Sequence, residues 1–474
     1  MQKVTVGILD PSRFSSVLPE ERFGQFASGI RRAKELLDGR RVWNINSTAQ
    51  GGGVAEMLRS LLAYARGMDL DVRWAVMEGR EDFFRVTKRI HNHLHGYPGD
   101  GGDLDEEEHG IYDAVTAMNA AALEEMVAPD DVVIVHDPQP AGLVENAQRL
   151  AAGVLWRCHV GIDMPNELAR NAWNFLIPYV QDADRYVFSR RAFGWEGLDA
   201  SKMLVIPPSI DAFSAKNQEM SRETVGAILR AAGIMPDAPA GEPAFLRESG
   251  ERALIERRAH YLDDGDPPSW NDPIVMQVSR WDRLKDPVGV ILGFGEYVAP
   301  TSDAHLILAG PATEAVSDDP EGLEVIEEAR EAWRRQIPDV RRRIHLLSLP
   351  MDDGEENAAM VNALQRRSDV VVQKSIAEGF GLTVTEAMWK GRPVVASGIG
   401  GIQDQIRDGE TGLLLHDPKD LEEFGAAVTK LLNDPIEAER VGRAAQRYVI
   451  DHFLGSRHLL QWLNAISAVI EPDS

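Results

Sequence analysis

Two glutamates, Glu378 and Glu386, bracket the run Gly379-Phe380-Gly381-Leu382-Thr383 in "KSIAEGFGLTVTEAMWKGRPVV". The spacing reads as a loop entering a helix, with Glu378 in the loop and Glu386 on the first turns of "TVTEAMWKG". The N–H groups of Gly381, Leu382 and Thr383 would then lack intrahelical partners and could meet an anion. Carboxylates on either side of such a terminus can hold sugar or ribose hydroxyls while the amides meet phosphate oxygens. Two ordinary surface glutamates would not call for Gly-Phe-Gly between them.

A second group is "QVSRWDRLKDP", where a strand ends near Ser279 and Arg280 and Lys285 follow five residues apart. A diphosphate leaving from a sugar gathers negative charge, and a fixed Arg and Lys can neutralise it without a metal. Two solvated basic residues opening a helix would look the same. The third is "NINSTAQGGGVAEML", with Gly51, Gly52 and Gly53 between a strand and a helix. Glycines there let a ligand approach the main chain. The pattern is neither a Walker loop nor GxGxxG, and a tight turn is the plain alternative.

These groups need strands to end beside them, and the chain supplies two series. "RRVWNINST", "LDVRWAVMEG", "DDVVIVHDPQP" and "AGVLWRCHVGID" form the first; "DPIVMQVSRWD", "AHLILAGP", "RRIHLLSLP", "SDVVVQKS" and "RPVVASGIGG" form the second. Each is a short apolar run closed by polar, Gly or Pro residues, with helical segments between, as buried parallel strands require. The expected fold is α/β, two doubly wound Rossmann-like domains facing a ligand cleft at their strand ends. Residues 1–215 would form the first domain, joined by a C-terminal helix at about 452–474, and residues 216–451 the second. Within the second, Ile234–Pro273, rich in Pro, Gly and acid, reads as a surface insertion with one short helix. "DEEEHG" near residue 107 reads as a solvated acidic turn.

At 474 residues two domains are the natural division, and 44% hydrophobic with 26% charged residues suits a globular protein. A net charge of −25 argues against nucleic acid and anionic membrane partners. No apolar run is long enough to span a bilayer. One cysteine, Cys158, excludes an internal disulfide framework; this and the start "MQKVTVGILDPSRF" lead us to expect a cytoplasmic protein.

Together the E-x7-E element, the Arg/Lys pair and the Gly-rich first loop resemble the retaining GT-B glycosyltransferases of family 4. With "FFRVTKRIHNHLHG", "HDPQP", "RCHV" and "IPPSID", most of residues 41–460 are similar to the trehalose glycosyltransferring synthases of that family. The resemblance implies transfer of glucose from a nucleotide sugar to free glucose. Arg280 and Lys285 would hold the donor diphosphate and Glu386 the ribose. Glu378, with the main chain of Gly379, Phe380, Gly381, Leu382 and Thr383, would hold the donor glucose. Gly52 and Gly53 would lie under the sugar and phosphate, and Asp137 and His159 would face the sugars. Cys158 is expected to be a buried small residue.

No cofactor is expected beyond the nucleotide sugar as substrate, with at most modest stimulation by Mg2+; acidic triplets such as Asp69-Leu70-Asp71 arise by chance in so acidic a chain. The expected partners are small-molecule substrates, and a homo-oligomer, in the simplest case a dimer, is the expected state. A retaining trehalose phosphorylase, using phosphate in place of nucleotide, is the nearest alternative, followed by a family 4 enzyme with another acceptor. A sugar or nucleotide sensor on the same fold is a third reading.

Overall fold

The computed structural model describes residues 1–49, 53–312 and 320–471. The chain divides into two compact units, Met1–Ser209 with Phe453–Ser474, and Ile210–His452. The first holds strands β1 (Gln2–Val4), β2 (Val42–Asn46), β3 (Val72–Val76), β4 (Val132–His136), β5 (Gly153–Cys158), β6 (Arg185–Phe188) and β7 (Met203–Val205). They lie in the order β1-β3-β2-β4-β5-β6-β7. All neighbours are parallel except β1, which runs antiparallel along β3.

Parallel strands are covered on both faces, which is why they read as continuous apolar runs rather than alternating ones. In β4, Val133 and Val135 join one apolar layer while Val132 and Ile134 join the other. The C-terminal helix Gly455–Ile470 packs within this unit. At Gly153, a Cβ would meet Val469 Cγ1 of that helix at 2.2 Å, so the strand start has no side chain there.

The second unit carries β8 (Ala244–Leu246), β9 (Arg252–Leu254), β10 (His260–Tyr261), β11 (Ile274–Val278), β12 (His305–Pro311), β13 (Ile344–Leu349), β14 (Val370–Gln373), β15 (Val394–Ser397) and β16 (Leu413–Leu415). The main sheet runs β10-β13-β12-β11-β14-β15-β16, with only β10 antiparallel. From β11 the chain builds outward through β12 and β13, then returns to add β14, β15 and β16 on the other side. The switch in direction falls between β11 and β14, which pair through Val275 and Val370. Crevices at such switch points are where open α/β sheets bind ligands. In the first unit the equivalent switch lies between β2 and β4.

The insertion departs from expectation. Instead of a short helix, residues 244–254 form the antiparallel hairpin β8–β9, closed by Gly250 at φ +83°. "AFLRESGERAL" has no helical apolar repeat; it buries Phe245 and places Arg252 opposite Leu246. Asp353 and Glu355 bind Arg247 at the hairpin, tying it to the helix Gly354–Arg367. "DEEEHG" also proves more ordered than a solvated turn: Asp105 caps the helix Glu106–Glu124 in a capping box with Glu108, and Glu108 pairs with Arg89 at 2.8 Å.

Candidate active site

The two loops that carry most of the candidate residues follow β11 and β14, the adjacent strands at the switch point of the second unit. After β11 the chain makes a short 3-10 turn, Arg283–Lys285, capped by Asp282. Its carbonyls anchor the second loop: Leu284 O accepts from Ile376 N at 2.7 Å, and Lys285 O accepts from Gln277 Nε2 at 2.8 Å. Gln277 Oε1 in turn accepts the N–H of Lys374 at 3.1 Å. One buried glutamine therefore sets both loops at once.

This bracing brings Lys285 Nζ to 2.6 Å from Glu378 Oε2, in a pair whose side chains are 14% and 13% exposed. Ser375 Oγ reaches the same oxygen at 3.4 Å. A second pair lies behind it, between buried Lys374 and Asp286. Asp286 holds a left-handed φ of +49° and caps the next helix, Pro287–Gly293. Arg280 is different: its side chain is 69% exposed and, among the described residues, pairs with Asp282 at 3.4 Å. That exposure leaves it able to turn toward an arriving anion.

Gly381, at φ +83°, stands at the N-terminus of the helix Leu382–Trp389. A Cβ there would come within 3.1 Å of Glu378 Cγ. The Gly379–Phe380 backbone lies on Gly400 and Gly401, and Gly401 N donates to Gly379 O at 2.9 Å. Gln405 holds Phe380 O and accepts from Thr385 Oγ1, while Thr383 Oγ1 donates to Gln373 at 3.1 Å. The main chain of residues 379–383 is thus fixed from below, with the helix start available to an anion. Glu386 is buried one turn further along, with Lys216 Nζ 3.8 Å from Oε1. The structure therefore brings Lys285 and Glu378 into contact, whereas Glu386 is served by a separate cation.

In the first unit Asp137 and His159 also meet. Asp137 follows β4 at φ +68°, and its Oδ1 accepts the His159 N–H at 2.7 Å. His159 Nδ1 lies 3.1 Å from both carboxylate oxygens. Burial pushes the Asp137 carboxyl up, but the charge and hydrogen bonds of His159 outweigh it and bring it down to about 2. Burial lowers His159, with Asp137 opposing. A neutral ring donating from Nδ1 leaves Nε2 as an acceptor, and that buried atom has no partner among the described residues. It suits a hydroxyl donor such as a sugar.

His136 stacks on His159 with centroids 5.7 Å apart, and buried Arg157 and His458 with half-buried Arg457 complete a cluster of basic side chains in this unit. Burial depresses Arg157 to about 10 and Arg457 to about 9. It also lowers His136 and His458 well below the usual histidine range. These two histidines stay neutral in the fold but take up protons once unfolded. Stability is then lost as pH falls below about 6.5, by up to ~1.4 kcal/mol per pH unit for each of them. Denaturant titrations at pH 7 and pH 5 are expected to show this loss, and His136→Gln is expected to reduce the slope.

Gly53 begins the helix Gly53–Gly67, while Gly52 lies outside the described residues. Cys158 is buried, and burial pushes its thiol well up, which suits an inert side chain. Asp69 pairs with Lys34 and Asp71 with Arg73. No group of three potential metal ligands occurs among the described residues, and no described helix is long and apolar enough to cross a membrane.

Sequence reasoning missed Lys216, Lys374, Asp286 and the seat formed by Gly400 and Gly401. The glycine pair in "SGIGG" was a visible signal. Lys216 carried none, because its partner lies far along the chain.

Residues 44–194 match the family model for the trehalose synthase N-terminal domain, and residues 266–448 match that for glycosyl transferases group 1. Trehalose synthase of Rubrobacter xylanophilus is 36% identical over 467 residues, covering 97% of each chain. The solved alpha,alpha-trehalose 6-phosphate synthase of Burkholderia multivorans superposes with a TM-score of 0.65 at 17% identity, over 91% of this chain and 98% of that one. Anabaena HepE, solved in complex with UDP-glucose, gives a TM-score of 0.60 at 14% identity, covering 90% and 99%. With this extent of identity and the fold of these neighbours, the chain belongs to the trehalose synthase family of GT-B glycosyltransferases.

Proposed function

We propose that the protein is a retaining glucosyltransferase that makes trehalose reversibly from a nucleoside diphosphate glucose and free glucose. The observation that carries this reading is the Lys285–Glu378 pair beside the N-terminus of the helix Leu382–Trp389. That combination offers a cation and free amides to a diphosphate, and a carboxylate to sugar hydroxyls.

In this reading Arg280 and Lys285 hold the diphosphate, and Glu378 with the amides of Gly379–Thr383 holds the glucose. Asp137 and His159 bind sugar hydroxyls, with Asp137 fixing the ring so that Nε2 accepts. Since no sequence feature marks a carboxylate nucleophile, same-face attack is the favoured route. The C1–O bond to the diphosphate breaks, the acceptor oxygen bonds to C1 from the same side, and the leaving phosphate oxygen takes the hydroxyl proton. Arg280 and Lys285 stabilise the charge that develops on that phosphate.

Glu386, held by Lys216, binds the ribose. Glu386→Ala is expected to raise the donor KM about 10-fold with a smaller effect on kcat, since it removes a charged hydrogen bond made equally in ground and transition states. Steady-state kinetics with a nucleoside diphosphate glucose measures the split. Because two side chains supply the positive charge, activity is expected to survive chelation by EDTA, with Mg2+ stimulating it only modestly. A homodimer of the full chain is also proposed, and light scattering would measure it.

The direct test of the reaction is incubation of ADP-, UDP- or GDP-glucose with free glucose, followed by NMR of the product. An α,α-linked disaccharide confirms both acceptor and retention. Transfer only to another acceptor, or an inverted linkage, rejects the reading.

A further inference from the structure

At the end of the second unit's sheet opposite the candidate active site lies a polar concavity of about 590 Å³. Trp270 and Asn271 precede β11, Asp369 precedes β14, and Arg392 precedes β15, so it opens at the N-terminal ends of these strands. Its lining holds Arg222, Arg366, Arg367, Lys390 and Arg392 against two carboxylates, Glu219 and Asp369. Five basic side chains gathered in one hollow are unexpected in a chain of net charge −25.

The two carboxylates do not balance them. Glu219, with a side chain 76% exposed, pairs with Arg366 at 2.8 Å, and Asp369, 48% exposed, pairs with Arg367 at 3.0 Å. Much of the remaining hydrogen bonding goes to main-chain carbonyls, which satisfy donors without cancelling charge: Arg367 binds Trp270 O and Asp272 O, and Arg392 Nη1 binds Ser368 O. Arg222 lies 5.7 Å from the Trp270 ring centre, with Arg367 at 5.2 Å from the same ring. Neither the Arg222 guanidinium nor Arg392 Nη2 has a hydrogen bond among the described residues. Burial also lowers Arg366 and Arg392, and brings Lys390 down to about 7 against the opposing pull of Glu386. A site that concentrates desolvated guanidiniums in this way matches an anion with several oxygens. The volume suits a ligand the size of a sugar phosphate.

The hollow is wired to the donor side. Lys390 follows the helix Leu382–Trp389, whose eight residues span about 12 Å. Lys390 Nζ donates to Glu386 O at 3.1 Å and to Asn217 Oδ1 at 3.0 Å. Trp389 Nε1 binds Asn217 O at 2.9 Å, and the neighbouring Lys216 holds the Glu386 carboxylate. An anion beside Lys390 would favour its charged form and tighten its grip on Asn217, and so shift Lys216 against Glu386.

We propose that this concavity binds a small phosphorylated metabolite and that its occupancy changes the affinity for the donor nucleotide. The coupling rests on the donor role of Glu386 given above. Linkage makes it reciprocal, so bound nucleotide must change the anion's affinity by the same factor.

The test is calorimetric titration of the full chain, saturated with a nucleoside diphosphate, with inorganic pyrophosphate and with glucose 6-phosphate as probes. One additional site is expected, at least about 10-fold weaker in Arg222→Glu and in Arg392→Gln. Binding by both probes identifies a general phosphate site, and binding by glucose 6-phosphate alone a sugar-phosphate site; each supports the proposal. The donor KM is expected to shift at least about 5-fold with probe in wild type and not in Arg222→Glu, which leaves activity without probe unchanged. Arg222 is exposed at a helix N-terminus, where glutamate is tolerated. Absence of the additional site, a site indifferent to both variants, or a donor KM that does not respond overturns the proposal. If no nucleoside diphosphate binds in the first titration, the functional reading fails and the coupling with it, whereas probe binding still decides whether the hollow is an anion site.

Discussion

Lys285→Ala is expected to lower turnover at least about 100-fold while the chain stays folded, because it removes a fixed charge aimed at the leaving diphosphate. The ammonium is held in place before any ligand arrives: its turn is capped by Asp282, its carbonyl is bound by Gln277, and Glu378 lies 2.6 Å from Nζ. Preorganisation of this kind costs nothing at the moment of reaction. Arg280→Ala is expected to fall in the same range, although Arg280 must first leave its weak contact with Asp282. A purely structural role predicts a different outcome. Loss of Lys285 would then lower the melting temperature and leave turnover of the surviving enzyme near wild type. Thermal unfolding and single-turnover rates on the same preparations separate the two, and near-wild-type turnover removes the residue from the mechanism.

The second large effect is expected at a residue that touches no substrate in this account. Gly400→Ala would place a methyl group 1.8 Å from the Glu378 carbonyl oxygen, at a residue with φ +46°. The obstacle is backbone, so no rotamer change relieves it. The loop Glu378–Gly379–Phe380 has to move, and the Gly401 N–H bond to Gly379 O at 2.9 Å moves with it. Displacement of positioning groups by about 1 Å can cost ~100-fold, so kcat/KM is expected to fall by at least that factor. Gly409→Ala is the control. It has φ +72° with nothing within 4 Å of a Cβ, so it carries backbone strain alone. It is expected to cost ~1 kcal/mol of stability and to keep its activity. Equal activity in the two variants would show that the seat under the loop does not matter.

Most of the fold was legible because buried parallel strands announce themselves. "VVIVH", "IVMQV" and "VVVQ" are apolar without alternation, and each ends at a polar or glycine-bearing loop. The contact between Arg/Lys loop and E-x7-E loop was not legible. It follows from β11 and β14 being neighbours, a choice made by topology over some ninety residues of chain, and from Gln277 bonding across it. Lys216, held beside Glu386, belongs to the same class of long-range partner. The hairpin at β8–β9 was missed for another reason. Its composition, rich in Arg, Glu and Gly, says surface, and only the burial of Phe245 selects the pairing. Asp137 shows a middle case. The residue was visible in "HDPQP", but its left-handed backbone, which turns the carboxylate back onto His159, was not.

Whether the phosphate group meeting Lys285 and Arg280 belongs to a nucleotide is decided by the reverse reaction. The purified protein is incubated with trehalose and either a nucleoside diphosphate (ADP, UDP or GDP) or inorganic phosphate, and the activated sugar is identified. A nucleoside diphosphate glucose is expected, formed only when the nucleotide is present and lost in Lys285→Ala. Glucose 1-phosphate formed only with phosphate would contradict it, making the enzyme a phosphorylase and leaving Glu386 without a ribose to hold.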